Sequence, residues 1–213
     1  METKGTISAS LAGDLAAICH AMIGSLSRLI AGIGVNRVTR TLLDDLTLLT
    51  VGPQLRGGAN VKKGQAGIID VFKTINSITE KHSLASTPNK IEVKNASGRT
   101  VLIEFAADPD IVIKEFLSPD NCRNTVAIEV KGGTDFSNIH NRIGEAEKSH
   151  QKAKANGFIE CWTVVNVDRF DEAMAKRESP TTNRFYRLSS LKEKKGIEYN
   201  DFKNQISAII GIK

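Results

Sequence analysis

The sequence predicts an α/β protein, with a mixed β-sheet core flanked by helices and preceded by a helical N-terminal region. Three observations predict it. Large apolar residues near the start recur at Leu11, Leu15, Ile18, Met22, Leu26, Leu29 and Ile33, the three-four spacing of one helix face. From Lys90 the pattern changes to short apolar runs broken by turn residues, which read as strands. Within that second part a strand, a long amphipathic stretch and another apolar strand follow in order. That is how a crossover helix joins parallel strands. The implied division is a helical region over 1–88 and a core over 89–213.

The first part reads as helices over about 7–32, 35–50 and 66–82. Between the last two, Pro53 to Gln65 carries Gly57, Gly58 and Gly64 with Arg56, Lys62 and Lys63, and is expected to be a mobile cationic loop. KIEVKNASGRTVLIEF, from Lys90, reads as two strands joined by the turn Asn95-Ala96-Ser97-Gly98. IVIKEF is a third strand, LSPDNCRN a polar loop and TVAIEVK a fourth strand. A helix is expected from about Asp135 to Ala155, ended by Asn156-Gly157. FIECWTVVN is a buried strand containing Trp162, RFYRLSSL holds a short strand, and NDFKNQISAII is a terminal helix.

At 213 residues, 40% hydrophobic and 25% charged, the chain suits a soluble domain, alone or with an appendage. The net charge of +5 leans towards an anionic partner such as nucleic acid. Cys19, Cys122 and Cys161 are odd in number with no CxxC pair, which argues against a disulfide framework or a zinc site and fits a reducing cytoplasm. The stretch Leu11 to Ile33 contains Asp14, His20 and Arg28, so it is expected to bury one stripe rather than span a membrane. No export signal is expected.

The tetrapeptide IEVK occurs twice, at Ile91-Glu92-Val93-Lys94 and at Ile128-Glu129-Val130-Lys131. On a strand, Glu and Lys two positions apart share a face, which is usually a solvated face. The company of the second copy differs. A hairpin would set Asp110, at the start of IVIKEF, beside Glu129, and Gly132-Gly133 follow where missing side chains admit a bulky backbone. Two carboxylates from neighbouring strands can hold Mg2+, which prefers oxygen ligands, and a lysine can orient or deprotonate water and stabilise charge on phosphorus. The first copy has no such partner, so Glu92 and Lys94 read as solvated.

Pro109-Asp110 followed by Glu129-Val130-Lys131 resembles the signature of the PD-(D/E)XK nuclease superfamily. The stretch EVKGGTDFSNIHNRIGEAEKSHQKAK is similar to the corresponding segment of type II restriction endonucleases, in particular the XcyI type. The resemblance covers about Arg99 to Leu188. It implies a Mg2+-dependent endonuclease cutting double-stranded DNA as a homodimer, in the cytoplasm and away from membranes. Carried over residue by residue, Asp110 and Glu129 would hold the metal with the backbone carbonyl of Val130, and Lys131 would be the catalytic lysine. Asp110 is chosen over Asp108 because it follows the proline. Glu104 is a possible further acid of the site.

On the helix that follows, steps of 100° place Phe136, Ile139, Ile143, Ala146, His150 and Ala153 on a core face. Asn138, Arg142, Glu145, Ser149 and Lys152 form a polar stripe beside it. This reads as a solvated face or as the border of the site. In the second reading Glu145 orients Lys131 or a metal-bound water. Arg142 and Lys152 meet phosphates, and Asn138 and Asn141 approach DNA from the first turns. Arg184 or Arg187 could read guanine edges.

Overall fold

The structure, a computed structural model, describes residues 12–169 and 171–212. The chain forms two compact units, Met1–Gly57 and Gly58–Lys213. Residues 7–11 of the first expected helix, Leu11 among them, lie outside the described residues.

In the first unit, helix α1 (Ala12–Ile33) is followed by a short turn at Val35–Arg37 and by the start of helix α2 (Arg40–Thr79). The expected buried stripe on α1 is not buried. Leu15, Ile18, Met22, Leu26 and Leu29 are 39–60% exposed, because a unit of two helical segments has too little chain to cover an apolar face. By length and composition alone, Asp14–Ile33 is apolar enough to cross a bilayer.

Helix α2 also corrects the expected loop, since its backbone stays helical from Arg40 to Thr79, straight through the glycines. Glycine in a helix interior costs only about 0.5–1 kcal/mol, and tertiary packing overrides such preferences. That packing is visible at the end of the glycine-rich stretch. A methyl on Gly132 would lie 2.8 Å from the Lys63 carbonyl oxygen and 3.0 Å from the Gly64 Cα. The absence of a side chain at Gly132 therefore lets α2 lie directly on the chain that leaves the fourth predicted strand, and Gly67 faces the same contact, a methyl there lying 3.3 Å from the Gly132 Cα.

The second unit is a seven-stranded sheet in the order of the chain: β1 (Ser83–Thr87), β2 (Lys90–Lys94), β3 (Thr100–Phe105), β4 (Ile111–Ser118), β5 (Asn121–Lys131), β6 (Glu160–Val165) and β7 (Arg184–Arg187). Strands β1 to β5 pair antiparallel, and β5, β6 and β7 pair parallel. The sheet is thus mixed, as expected. The β2–β3 turn is held by Asn95, whose Oδ1 accepts from Ser97 N at 3.0 Å and Arg99 N at 2.9 Å. Gly98 supplies the required positive φ of 76°. The polar loop expected over LSPDNCRN is instead a tight hairpin, with Ser118 paired to Asn121. Cross-strand polar contacts hold it, Arg123 reaching Glu115 at 2.5 Å.

Helix α3 (Ile139–Ala155) is the crossover between β5 and β6. Ile139, Ile143, Ala146, His150 and Ala153 are buried as its periodicity predicts, but Phe136 is 57% exposed. Phe136 belongs to a short 3-10 turn, where the 100° step does not hold. Three short or terminal helices complete the unit: α4 (Glu172–Glu178), α5 (Leu188–Glu193) and α6 (Gly196–Ile210). One face of the sheet packs on the α2 residues Val71, Phe72 and Ile75 and the α6 residues Phe202 and Ile206 around Trp162. Full burial of such a side chain is worth about 1.5–3 kcal/mol. The other face meets α3.

Candidate active site

The sequence places Asp110 and Glu129 on neighbouring strands, and the fold brings them together. Pairing of β4 with β5 ends at Ile111 opposite Ile128, which sets Asp110 opposite Glu129 and Pro109 opposite Val130 at the next two steps. The Asp110 carboxylate accepts a hydrogen bond from the Val130 N–H at 2.7 Å. On the β6 side, the Lys131 carbonyl accepts from Asn166 N at 3.1 Å. Backbone groups alternate along a strand, so the Val130 carbonyl turns to the side of Asp110. The residue opposite it, Pro109, has no N–H to donate. The proline thereby leaves an oxygen donor beside the carboxylate.

Glu129 is 6% exposed. Lys131 Nζ stands 2.9 Å from Glu129 Oε1 and 3.5 Å from Glu145 Oε2 on α3. Burial pushes the Glu129 carboxyl above its ordinary value, and the nearby Asp110 charge adds to it. Burial also raises Asp110, in spite of its bond to Val130. Burial alone would lower the Lys131 ammonium, but Glu129, Glu145 and Asp110 outweigh it and the pKa is raised. Lys131 is therefore a firmly charged donor between acids.

This donor set fits a hard divalent cation. It offers two carboxylates and a carbonyl, all oxygen, and both acids carry the mutual strain of poorly neutralised negative charge. Among the described residues no group of three or more His, Cys, Asp or Glu side chains is arranged around a common point. One or two carboxylates are what Mg2+ usually takes from a protein, the rest of its shell being water and substrate.

The other sequence-predicted residues fall less uniformly. Lys152 Nζ pairs with Asp108 at 2.6 Å, and Asp108 also takes a hydrogen bond from Ser149. The rejected aspartate of the Asp108-Pro109-Asp110 stretch thus ties the chain before Asp110 to α3. Glu104 pairs with Lys114 at 2.9 Å. In the first IEVK copy, Glu92 pairs with Lys90 at 2.7 Å and Lys94 is exposed. Asn138 and Asn141 are exposed and bond each other at 2.7 Å. Arg184 contacts Asp201 at 3.4 Å and Arg187 contacts Glu198 at 2.9 Å.

Arg142 lies across Gly133, so closely that any side chain there would overlap its guanidinium. Its Nη1 is buried with no hydrogen-bond partner among the described residues. Sequence reasoning missed Asn166, whose side chain donates to the Gly132 carbonyl at 2.8 Å. With its backbone bond to Lys131, Asn166 pins the chain leaving the site. The signal for it was faint, a single Asn at the end of a buried strand.

The type II restriction enzyme Cfr9I of Citrobacter freundii is 55% identical over 213 residues, all of this chain and 64% of that protein. The type II restriction enzyme XcyI of Xanthomonas campestris pv. cyanopsidis is 55% identical over 212 residues, again 64% of that protein. The chain thus spans about 64% of the length of the curated relatives it matches. No solved structure gives a significant match. A family model described as the XcyI restriction endonuclease matches residues 1–213, and the chain belongs to the XcyI restriction endonuclease family.

Proposed function

We propose that the chain is a Mg2+-dependent type II endonuclease that hydrolyses double-stranded DNA at a specific, palindromic site. The observation that carries this reading is the juxtaposition of Asp110, Glu129 and Lys131, with the Lys131 ammonium 2.9 Å from Glu129. Family membership and the activity in the names of the relatives support it. A bound divalent cation would polarise the phosphate and lower the pKa of an attacking water. Asp110, Glu129 and the Val130 carbonyl would hold it.

Each other part of the chemistry falls to a residue of this chain. Lys131, with its raised pKa, acts by donating: it orients the attacking water and stabilises charge gathering on the phosphoryl oxygens. Glu145 holds the Lys131 ammonium from the α3 side. Arg142 has a guanidinium nitrogen with no hydrogen-bond partner among the described residues, and a phosphate oxygen would satisfy it. Lys152 reaches a phosphate only by leaving Asp108, and Asn138 and Asn141 meet DNA from the exposed first turn of α3. A homodimer would present one site to each strand of a two-fold symmetric target. The reading places the protein in the cytoplasm, beside chromosomal and invading DNA.

Incubation with plasmid DNA and Mg2+ tests the reading. Discrete fragments, dependent on Mg2+ and with the same sequence at their ends in different plasmids, are expected. Smearing or branch-specific cutting would point to a repair nuclease, and retention without cutting to a DNA-binding module.

A further inference from the structure

Behind the site, α3 carries two buried titratable groups that the proposed chemistry does not use, Glu147 at 8% and His150 at 0% exposure. Between them runs a line of hydroxyls. Glu147 Oε2 accepts from Ser179 Oγ at 2.8 Å. Ser179 Oγ lies 2.7 Å from Thr182 Oγ1, which lies 3.0 Å from Thr163 Oγ1. Thr163 Oγ1 lies 2.8 Å from His150 Nε2. Thr163, the β6 residue in the line, is the register partner of Glu129 on β5.

The direction of every bond follows from its end. An ionised carboxylate only accepts, and each hydroxyl has one proton to give. Glu147 is held ionised: burial alone would raise its pKa, but the hydroxyls of Thr181 and Ser179 bring it below the ordinary value. Ser179 therefore spends its proton on Glu147 and must accept from Thr182. Thr182 must then accept from Thr163, and Thr163 from His150 Nε2–H. Burial lowers the His150 pKa to about 4, so at neutral pH the ring has one proton. The chain puts it on Nε2 and leaves a lone pair on Nδ1. His150 Nδ1 is buried without a hydrogen-bond partner among the described residues. A buried lone acceptor costs less than a buried orphan N–H, which agrees with that assignment.

We infer that this chain, from Glu147 through Ser179, Thr182 and Thr163 to the Nε2-protonated tautomer of His150, is a positioning device for the catalytic centre. It rests on the nuclease reading given above. The chain clamps α3 to β6 through two of its buried polar residues, Glu147 and His150. Glu145, one turn before Ser149 and two residues before Glu147, is carried on the same helix to its place at Lys131. Thr163 fixes the strand next to Glu129. Each of the five groups is thus a positioning residue that acts through Glu145, Lys131 and Glu129.

The test uses the full chain, with Thr182→Val breaking the line at its middle in nearly the same volume and Thr182→Ser preserving it. Three readouts are taken: the imidazole 15N shifts of His150, the 13Cε shift of Lys131, and single-turnover plasmid cleavage against Mg2+ concentration. Unaltered protein and Thr182→Ser should show Nδ1 unprotonated and Nε2 protonated. Thr182→Val should shift the Lys131 signal, lower the cleavage rate on the order of 10–100-fold, as partners that orient metal-site residues do, and raise the Mg2+ needed for half activity. An Nδ1-protonated His150 in the unaltered protein overturns the inference, and this holds even if Thr182→Val fails to fold. So does a Thr182→Val protein whose Lys131 signal and Mg2+ dependence match the unaltered chain. If no variant and no unaltered protein cuts DNA while the tautomer and the Lys131 response are as expected, the nuclease reading fails and the internal chain stands.

Discussion

Val130 donates its backbone N–H to the Asp110 carboxylate at 2.7 Å. This bond joins the two strands at the step where their ladder stops, and it holds a half-buried acid beside Glu129. Because proline stands opposite Val130, the ladder ends there and leaves carboxylate and carbonyl oxygens exposed together.

Asp110 has a pKa raised by burial, so its ionisation opposes folding. The folded protein binds the proton more tightly than the unfolded chain. Stability is therefore lost as pH rises from the unfolded value of about 3.9 through the raised folded value, and the loss persists at neutral pH. Asp110→Asn keeps an acceptor for the Val130 N–H and removes the charge. It should gain about 0.5–2 kcal/mol in metal-free denaturant unfolding at pH 7, as relieved functional sites often do, while losing cleavage. The gain should vanish near pH 3.

The two IEVK copies give a paired comparison. Lys131→Ala should lower the cleavage rate by roughly 10²–10⁴-fold, as for a positioned acid–base or donor group. Lys94→Ala should leave the rate unchanged and alter stability by less than about 0.5 kcal/mol. Single-turnover kinetics and urea unfolding read both. A reversed result would move the site to the first copy.

Arg142 lies across Gly133. Gly133→Ala displaces the end of this flexible side chain, at a cost in stability of less than about 0.5 kcal/mol. Its DNA binding should resemble that of Arg142→Ala, with the slope of log affinity against log salt shallower by roughly 0.9 if one phosphate contact is lost. Fluorescence anisotropy at several salt concentrations measures it. Equal slopes in the unaltered protein and both variants would return Arg142 to a packing role.

At the β4–β5 hairpin, Glu115 is buried against Arg99 at 3.3 Å, Arg123 at 2.5 Å and Asn95 at 3.0 Å. Burial alone would raise its pKa, but the two guanidinium groups bring it below the ordinary value. A depressed acid stabilises the fold above its unfolded pKa of about 4.3, and that stability is lost as pH falls through the folded value. Glu115→Gln should cost about 1–2 kcal/mol at pH 7, discounted because both arginines are half exposed. The difference should close in unfolding curves as the pH falls through the depressed folded value.

Much of the fold was legible because its strands alternate or run apolar between turn residues. Asn95 to Gly98 and Asn156-Gly157 marked real boundaries. What escaped was set by tertiary contact. Strand β1, with Ser83, Ser86 and Thr87, has no apolar alternation and exists through its pairing with β2. Gly57, Gly58 and Gly64 suggested a loop, but the helix runs through them, and its backbone at Lys63 and Gly64 packs against Gly132, which has no room for a side chain. In the candidate site, Asp110, Glu129 and Lys131 stood out because period two and the hairpin order fix their neighbours. The Asp108–Lys152 pair and the Asn166 brace join positions far apart in sequence, the seat of Arg142 on Gly133 depends on how the loop before α3 folds back, and no local pattern announces them.

The most direct measurement is Mg2+-dependent cleavage of a supercoiled plasmid by the unaltered chain, Asp110→Ala and Glu129→Ala, with DNA binding measured in parallel. The unaltered chain should give discrete fragments. Both variants should fail to cut while binding DNA as well as or better than the unaltered chain, because an anionic group near phosphate is gone. Cutting by either variant at close to the unaltered rate would contradict the assignment of Asp110 and Glu129 as the metal-holding pair.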